Sequence, residues 1–325
     1  MGKLYLVTGA AGHLGLAVVK EILSRGEKVR AMILPGQESV MPANAELELM
    51  TADVTDPDTL PAFFRNEDGD DLILIHCAAK ITIKSKPDRD LRRVNIVGTY
   101  NILKCALKMN VSRTVYISSV HAIPEKPGEE EITEVSSFSP KIVHGHYAKS
   151  KAAAANLALN FAKAGLNLSI VHPSGIIGPG DSAGNNHSVN TIHAMAEGKI
   201  PVGIKGGYDF VDVRDVAKGI VDCADKGRSG ECYILSGNYV TIKDLLKEVY
   251  KIKNKKAPDF VVPKALAVFA APFAELYSHV FKKKHILTPY SVTTLSGNGH
   301  FSHAKATAEF GYAVRPLEET LRDML

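Results

Sequence analysis

The stretch LYLVTGAAGHLG, residues 4–15, decides how the rest of the chain is read. Leu4 to Thr8 is an apolar, β-rich run of the kind that forms a buried strand. Glycines follow at 9, 12 and 15, and the continuation HLGLAVVKEILSRG carries its apolar residues at helical spacing. Strand, glycine turn and helix in that order are the context a phosphate-binding turn requires. Gly9 makes the tight turn, Gly12 lets the backbone approach a pyrophosphate, and Gly15 lets the helix pack close to the strand. Free N–H groups and the positive end of the helix dipole then face the phosphates. The spacing is GxxGxxG rather than the general GxGxxG, so the dinucleotide pattern is met only approximately.

Outward from this turn the pattern repeats. Short apolar runs at 28–34, 47–50, 72–77, 114–118 and 168–172 read as further strands, with amphipathic stretches between several of them. Near-continuous apolar strands separated by helices predict a parallel sheet covered on both faces. Gly26 and Gly165 fall where helix C-termini are expected, and Asn110 serves likewise. After His172 the pattern loosens into PSGIIGPGDSAGNNHS, a loop, before strands and helices return. The expected architecture is α/β, a Rossmann-type doubly wound parallel sheet with a smaller C-terminal substrate-binding lobe. Residues 1–174 and about 208–237 are assigned to the dinucleotide-binding domain, and about 175–207 and 238–325 to the lobe.

Composition narrows the function. The 325 residues are 45% hydrophobic and 23% charged with a net charge of +4, and no basic stripe marks a nucleic-acid surface. Cys77, Cys105, Cys223 and Cys232 have neither CxxC spacing nor partners in sequence, and read as thiols of a reducing cytoplasm. No HExxH or tight carboxylate cluster suggests a metal. The chain starts directly on a strand, with no signal peptide in view. The most apolar stretch, residues 260–281, is interrupted by Pro263, Lys264, Pro272 and Glu275. It reads as a helix over a pocket; membrane contact through 260–284 is the alternative, prompted by the Lys282–Lys284 run.

Two further features carry chemistry. NAD-binding sheets place an acid about 20 residues beyond the glycine turn, whereas NADP needs a cation there. Ile33 and Leu34 are neither, which removes repulsion against a 2′-phosphate and leans to NADP over NAD; Asp53 is placed at the adenine. In HGHYAKSKAAAA, residues 144–155, Tyr147 and Lys151 are four apart and share a helix face, while Lys149 points to solvent. A free phenol titrates at about 10, and a neighbouring ammonium favours its anion, so Lys151 is expected to acidify Tyr147. Ser118 and Ser119 end the fifth strand at the carboxyl edge, where open α/β sheets bind ligands. His121, His144, His146, His187 and His193 fall in segments that approach the same place, at least one of them on the pocket wall.

Together TGAAGHLG, TADVTD, HCAAK, VNIVGTYNIL, VYISSV, YAKSK, VHPSGIIGPG, YDFVDVRDVA and GECYILSGNYVTIKDLL resemble an extended short-chain dehydrogenase/reductase along nearly the whole chain. Its tail is similar to the hydroxysteroid dehydrogenase and dihydroflavonol reductase branch. The resemblance implies a catalytic Ser119, Tyr147 and Lys151, with Lys151 also holding the nicotinamide ribose. It implies cofactor contacts from Gly9, Ala11, Gly12, His13, Leu14, Gly15, Asp53, Val54, Ala78, Ala79, Lys80, Asn95, Pro173 and Ile176. Substrate would meet Ser119, Val120, His121 and Tyr147, and a homodimer is implied as well. Tyr208 stands where nucleotide-sugar enzymes commonly have an arginine, and His172 replaces the usual arginine before Pro173. The expected activity is NAD(P)-dependent interconversion of a carbonyl and an alcohol on a hydrophobic small molecule. A nucleotide-sugar epimerase or dehydratase and a non-catalytic dinucleotide binder are the alternatives.

Overall fold

Strand β1 (Lys3–Thr8) sits in the middle of a sheet because it has apolar side chains for both faces: Tyr5 and Val7 point one way, Leu6 the other, and all three are buried. The structure, a computed structural model, describes residues 2–83, 85, 88–181, 184–200, 203–258, 261–280 and 288–325. The other large-sheet strands are β2 (Lys28–Ile33), β3 (Leu47–Thr51), β4 (Asp71–His76), β5 (Arg113–Ile117), β6 (Leu168–Pro173) and, late in the chain, β10 (Cys232–Leu235). All pair in parallel, in the order β10-β6-β5-β4-β1-β2-β3. The order reverses between β1 and β4, which opens a crevice at the carboxyl ends of those strands.

Helices His13–Ser24 and Val213–Lys226 cover one face, burying Val18, Val19, Ile22, Val216, Ile220 and Val221 against Tyr5 and Val7. Helices Thr99–Lys108 and His146–Lys163 cover the other, with Ile102, Leu103 and Phe63 around Leu6 and Leu74. The alanine run pays off here in geometry. Ala152, Ala154, Ala155 and Ala158 are wholly buried, and their small side chains let the helix that begins at Tyr147 lie close to its neighbours.

The smaller part is built from β7 (Gly175–Ile177), β9 (Gly207–Asp212) and β11 (Asn238–Thr241) in the order β11-β9-β7, and from β8 (Gly203–Ile204) paired with β12 (Val261–Val262). Two expected boundaries shift. Strand β9, expected in the large domain, pairs its backbone with β7 and β11, while its Val211 is buried in the large core. Conversely Ala306, Phe310 and Tyr312, expected in the lobe, return to the large core beside Tyr233. Their helix, Ala304–Phe310, has one apolar side, and the uncovered flank of β10 and helix Val213–Lys226 is where that side is buried. The helix Lys264–Val280 runs through Pro272; Ala267 and Ala271 are buried against Val292, while Leu266, Val268, Phe269 and Phe273 are exposed. Among the described residues no helix is long and apolar enough to cross a membrane. Residues 260 and 281–284 of the segment considered for membrane contact lie outside the described residues.

Candidate active site

The glycine turn leaves no room for side chains. Gly9 has φ +65°, and a Cβ there would lie 2.7 Å from the Ala78 Cα; one on Gly15 would lie 2.1 Å from the Gly9 carbonyl oxygen. The helix that follows has no side-chain cap and no acid in its first turn, so its N-terminal N–H groups are left for a ligand. This is a cradle of the shape and polarity that a pyrophosphate fits. It opens into a cavity of about 1380 Å³ whose wall includes Gly9, Gly12, His13, Leu14 and Gly15, then Leu34 and Gln37, Asp53 and Val54, and Ala78, Ala79 and Lys80. Pro173 and Ile176 line it as well, and so do Ser119, Tyr147 and Lys151. The volume exceeds the ~300–1000 Å³ of an ordinary small-ligand pocket, enough for a dinucleotide with a second molecule.

His13 ties the turn to the opposite wall. Its Nδ1 accepts from the Asn186 amide at 3.0 Å, and its Nε2 donates to the Pro179 carbonyl at 3.1 Å. Burial lowers its pKa, so the ring beside the phosphate cradle is neutral. The Asp53 carboxylate accepts from the Thr55 N–H at 2.8 Å, an Asx turn that fixes it at the cavity. The Lys80 ammonium is held by Asp88 at 3.0 Å and Asp90 at 3.1 Å.

The three expected catalytic residues border one cavity from two elements. Ser119 caps the turn Val120–Ala122 just past β5, its Oγ accepting the His121 N–H at 3.3 Å. Tyr147 lies in the first turn of its helix, with its phenol beside the Ser119 side chain. One turn on, the Lys151 ammonium donates to the Ile117 carbonyl at 2.8 Å and lies 5.4 Å from the centre of the Tyr116 ring. The electrostatics differ from expectation. Burial pushes the Tyr147 phenol up to about 12, opposed by the neighbouring Ser119 side chain. Burial likewise pulls Lys151 down to about 8. The shared helix face brings the two side chains into one pocket, and burial is the largest cause of both shifts.

Three other candidates pack away from the cavity wall. Ala11 is buried in the large core rather than on the cavity wall, and Val120 packs with Ala122, Phe138 and Ala148 beneath the site. Asn95 is only 1% exposed and does not line the cavity. Its side-chain oxygen accepts the Lys80 N–H at 2.8 Å, and its amide donates to the Lys80 carbonyl and the Ser150 Oγ, each at 3.0 Å. Ser150 in turn donates to the Tyr147 carbonyl at 2.7 Å. On the other side the Asn95 carbonyl accepts from Thr99, which accepts from His76 Nε2, whose Nδ1 accepts from Thr8. A continuous buried chain thus joins the glycine turn to the helix of Tyr147, and burial holds His76 neutral, at about 3.

Several residues that sequence reasoning did not assign stand out. His172 Nδ1 donates to the Ser119 carbonyl at 3.0 Å, and its ring stacks on Phe138 at 5.1 Å. Tyr208 and Tyr290 both line the cavity and hydrogen-bond to the two nitrogens of His121. Of the candidate histidines, His121 and His187 border the cavity, while His144 and His193 are exposed. Position 208 was visible in the sequence as a missing arginine; Tyr290, far along the chain, carried no local signal.

A doubly wound parallel sheet with a phosphate cradle at the switch point defines a dinucleotide-dependent α/β enzyme. The chain belongs to the NAD dependent epimerase/dehydratase family, whose model matches residues 5–236. Sterol demethylase protein B of Methylococcus capsulatus is 32% identical over 263 residues, covering 80% of this chain and 78% of that protein. The 3 beta-hydroxysteroid dehydrogenase/Delta 5-->4-isomerase of Mycobacterium tuberculosis is 27% identical, covering 94% and 85%. The crystal structure of gox2253 is similar with a TM-score of 0.84 and 30% identity, over 99% of this chain and 96% of that one.

The Asn95 junction is open to test. Asn95→Ala should lower stability by about 1–3 kcal/mol, read as a lower urea midpoint at unchanged slope, because the Lys80 N–H and Ser150 hydroxyl lose a buried partner.

Proposed function

We propose that this chain is an NAD(P)-dependent oxidoreductase that interconverts a ketone or aldehyde and an alcohol on a hydrophobic, ring-bearing molecule. The observation that carries the reading is the placement of Ser119, Tyr147 and Lys151 on the same cavity as the glycine cradle. Beyond them the cavity wall is largely apolar, with Ile192, Met195, Ile200, Leu245 and Leu295, which favours a hydrophobic substrate over a sugar nucleotide. Tyr208 in place of an arginine supports the same choice, since a phenol gives a diphosphate no countercharge. The names of the Methylococcus and Mycobacterium relatives, a sterol demethylase component and a hydroxysteroid dehydrogenase, point the same way.

When bound, nicotinamide supplies or accepts the hydride. The chain's own part is to hold the oxygen and move a proton. Ser119 donates a hydrogen bond to the substrate oxygen and fixes its position beside Tyr147. With its pKa pushed up to about 12, Tyr147 is protonated at neutral pH and acts as general acid toward the oxygen as it gains charge. Lys151, one turn away, stabilises the phenolate left behind, and by resemblance holds the nicotinamide ribose. A protonated phenol suits reduction; oxidation must first ionise it, so reduction is the favoured direction near neutral pH. At the end of β2, Ile33 and Leu34 carry no carboxylate to repel a 2′-phosphate and Gln37 offers a neutral amide, which favours NADP.

Tyr147→Phe should abolish reduction while leaving cofactor binding intact, in a screen of steroid, flavonoid and simple carbonyl compounds run with NADH and NADPH. Turnover near the wild-type rate in that variant would refute the assignment. In the same assay kcat/KM for reduction should fall as pH rises through about 8, because Lys151 is charged below its pKa and neutral above it; Tyr147 keeps its proton across that range. Leu34→Asp should weaken NADPH binding at least about tenfold more than NADH binding, measured as the ratio of dissociation constants.

A further inference from the structure

We infer that Tyr208, His121 and Tyr290 form an oxygen-binding subsite beside Tyr147, so that the preferred substrate carries a second oxygen, hydroxyl or carbonyl, within a few bonds of the reacting carbonyl. The inference rests on the oxidoreductase reading above and narrows its substrate class. The Tyr208 hydroxyl lies 2.9 Å from His121 Nε2, and the Tyr290 hydroxyl lies 3.2 Å from His121 Nδ1. The imidazole centre is 5.9 Å from the ring centres of Tyr147, Tyr208 and Tyr290 alike. His121 also sits two residues beyond Ser119 and donates its backbone N–H to that serine's Oγ. A ligand group reaching the phenols therefore lies close to the reacting oxygen, not at the far end of the cavity.

Hydrogen counting shows what the subsite can do. Burial holds the His121 imidazole neutral, at about 4, so it carries one N–H and one acceptor nitrogen. In either tautomer one phenol donates to the ring and the other accepts from it. Three hydrogens thus serve two links, and one O–H remains to be given away, while both oxygens keep lone pairs. A link from the nearby Thr294 hydroxyl to Tyr290 would add one hydrogen and one bond and leave the remainder unchanged. Both tyrosines face the cavity, where the neighbouring wall is apolar. A ligand without a polar group at this point would displace water and leave the remaining hydrogen unmatched, which a hydrogen-bonding site resists strongly. Tyr290 is also fixed in place. Gly145, at φ +88°, precedes the helix of Tyr147, and a Cβ there would lie 2.3 Å from the Tyr290 ring.

The test compares α-hydroxyacetophenone with acetophenone as reduction substrates for the full chain with NADPH, in wild type and in Tyr208→Phe, Tyr290→Phe and His121→Phe. Dividing each variant by wild type cancels the intrinsic reactivity of the two ketones. The subsite requires kcat/KM to fall roughly tenfold more for α-hydroxyacetophenone than for acetophenone, mainly through KM, in at least one Tyr→Phe variant that still binds NADPH. His121→Gln, which keeps a donor and an acceptor, should recover part of the difference seen in His121→Phe. Equal losses on both ketones in all three variants would mean that the three residues only brace the wall, and would overturn the subsite. Absence of NADPH consumption with either ketone in the wild type would instead count against the oxidoreductase reading, and the subsite's substrate would fall with it.

Discussion

A single buried run of hydrogen bonds connects the part of the molecule shaped for a dinucleotide to the part shaped for proton transfer. It starts at Thr8, where the glycine turn begins, passes through His76, Thr99 and Asn95, and ends at Ser150 on the helix of Tyr147. Each member is buried, so each must find its partner inside the protein, and the directions of the hydrogens are fixed from one end to the other. The register between the sheet edge and the helix is set by this chain together with the close approach of Gly15 to Gly9. Ser119 and Tyr147, which come from different elements, depend on that register for their contact.

Desolvation shapes the rest of the site. Lys151 has given up water for one carbonyl and the face of an aromatic ring, and its pKa falls accordingly. Tyr147 is moved the other way by the same burial. Both shifts favour neutral forms, which is what a water-poor cavity does to any ionisable group in the absence of a bound partner. His13, His76, His121 and His172 follow the same rule and are neutral donors and acceptors rather than charges. These histidines therefore contribute directed hydrogen bonds and no charge.

The fold was legible because its signals are local. Each expected large-sheet strand appears within a residue or two of its predicted limits, since an apolar run between helical patterns has one economical use in a parallel sheet. The glycine turn was legible because three glycines at fixed spacing follow directly on a strand and open a helix, although the backbone that Gly9 meets, at Ala78, lies far along the chain. The direction of the Asn95 side chain was not legible, because a motif fixes a position in the chain and not where a side chain turns, and here the amide turns inward to Lys80 and Ser150. The boundary at β9 was misplaced because its neighbours in sequence belong to the large domain while its hydrogen-bond partners come from 175–177 and 238–241.

From the amino-acid order alone followed the alternation of strand and helix, the phosphate cradle, and the pairing of Tyr147 with Lys151 on one helix face, because periodicity and spacing act over a few turns of chain; the choice of Ser119 over Ser118 rested on the family resemblance. Only the folded chain decided that burial raises Tyr147 and lowers Lys151, that His172 holds the Ser119 carbonyl, and that Tyr208 and Tyr290 meet on His121. Those outcomes depend on how much water remains around a group and on which distant segment packs against it. Both quantities come into being only when residues far apart in the chain are brought together.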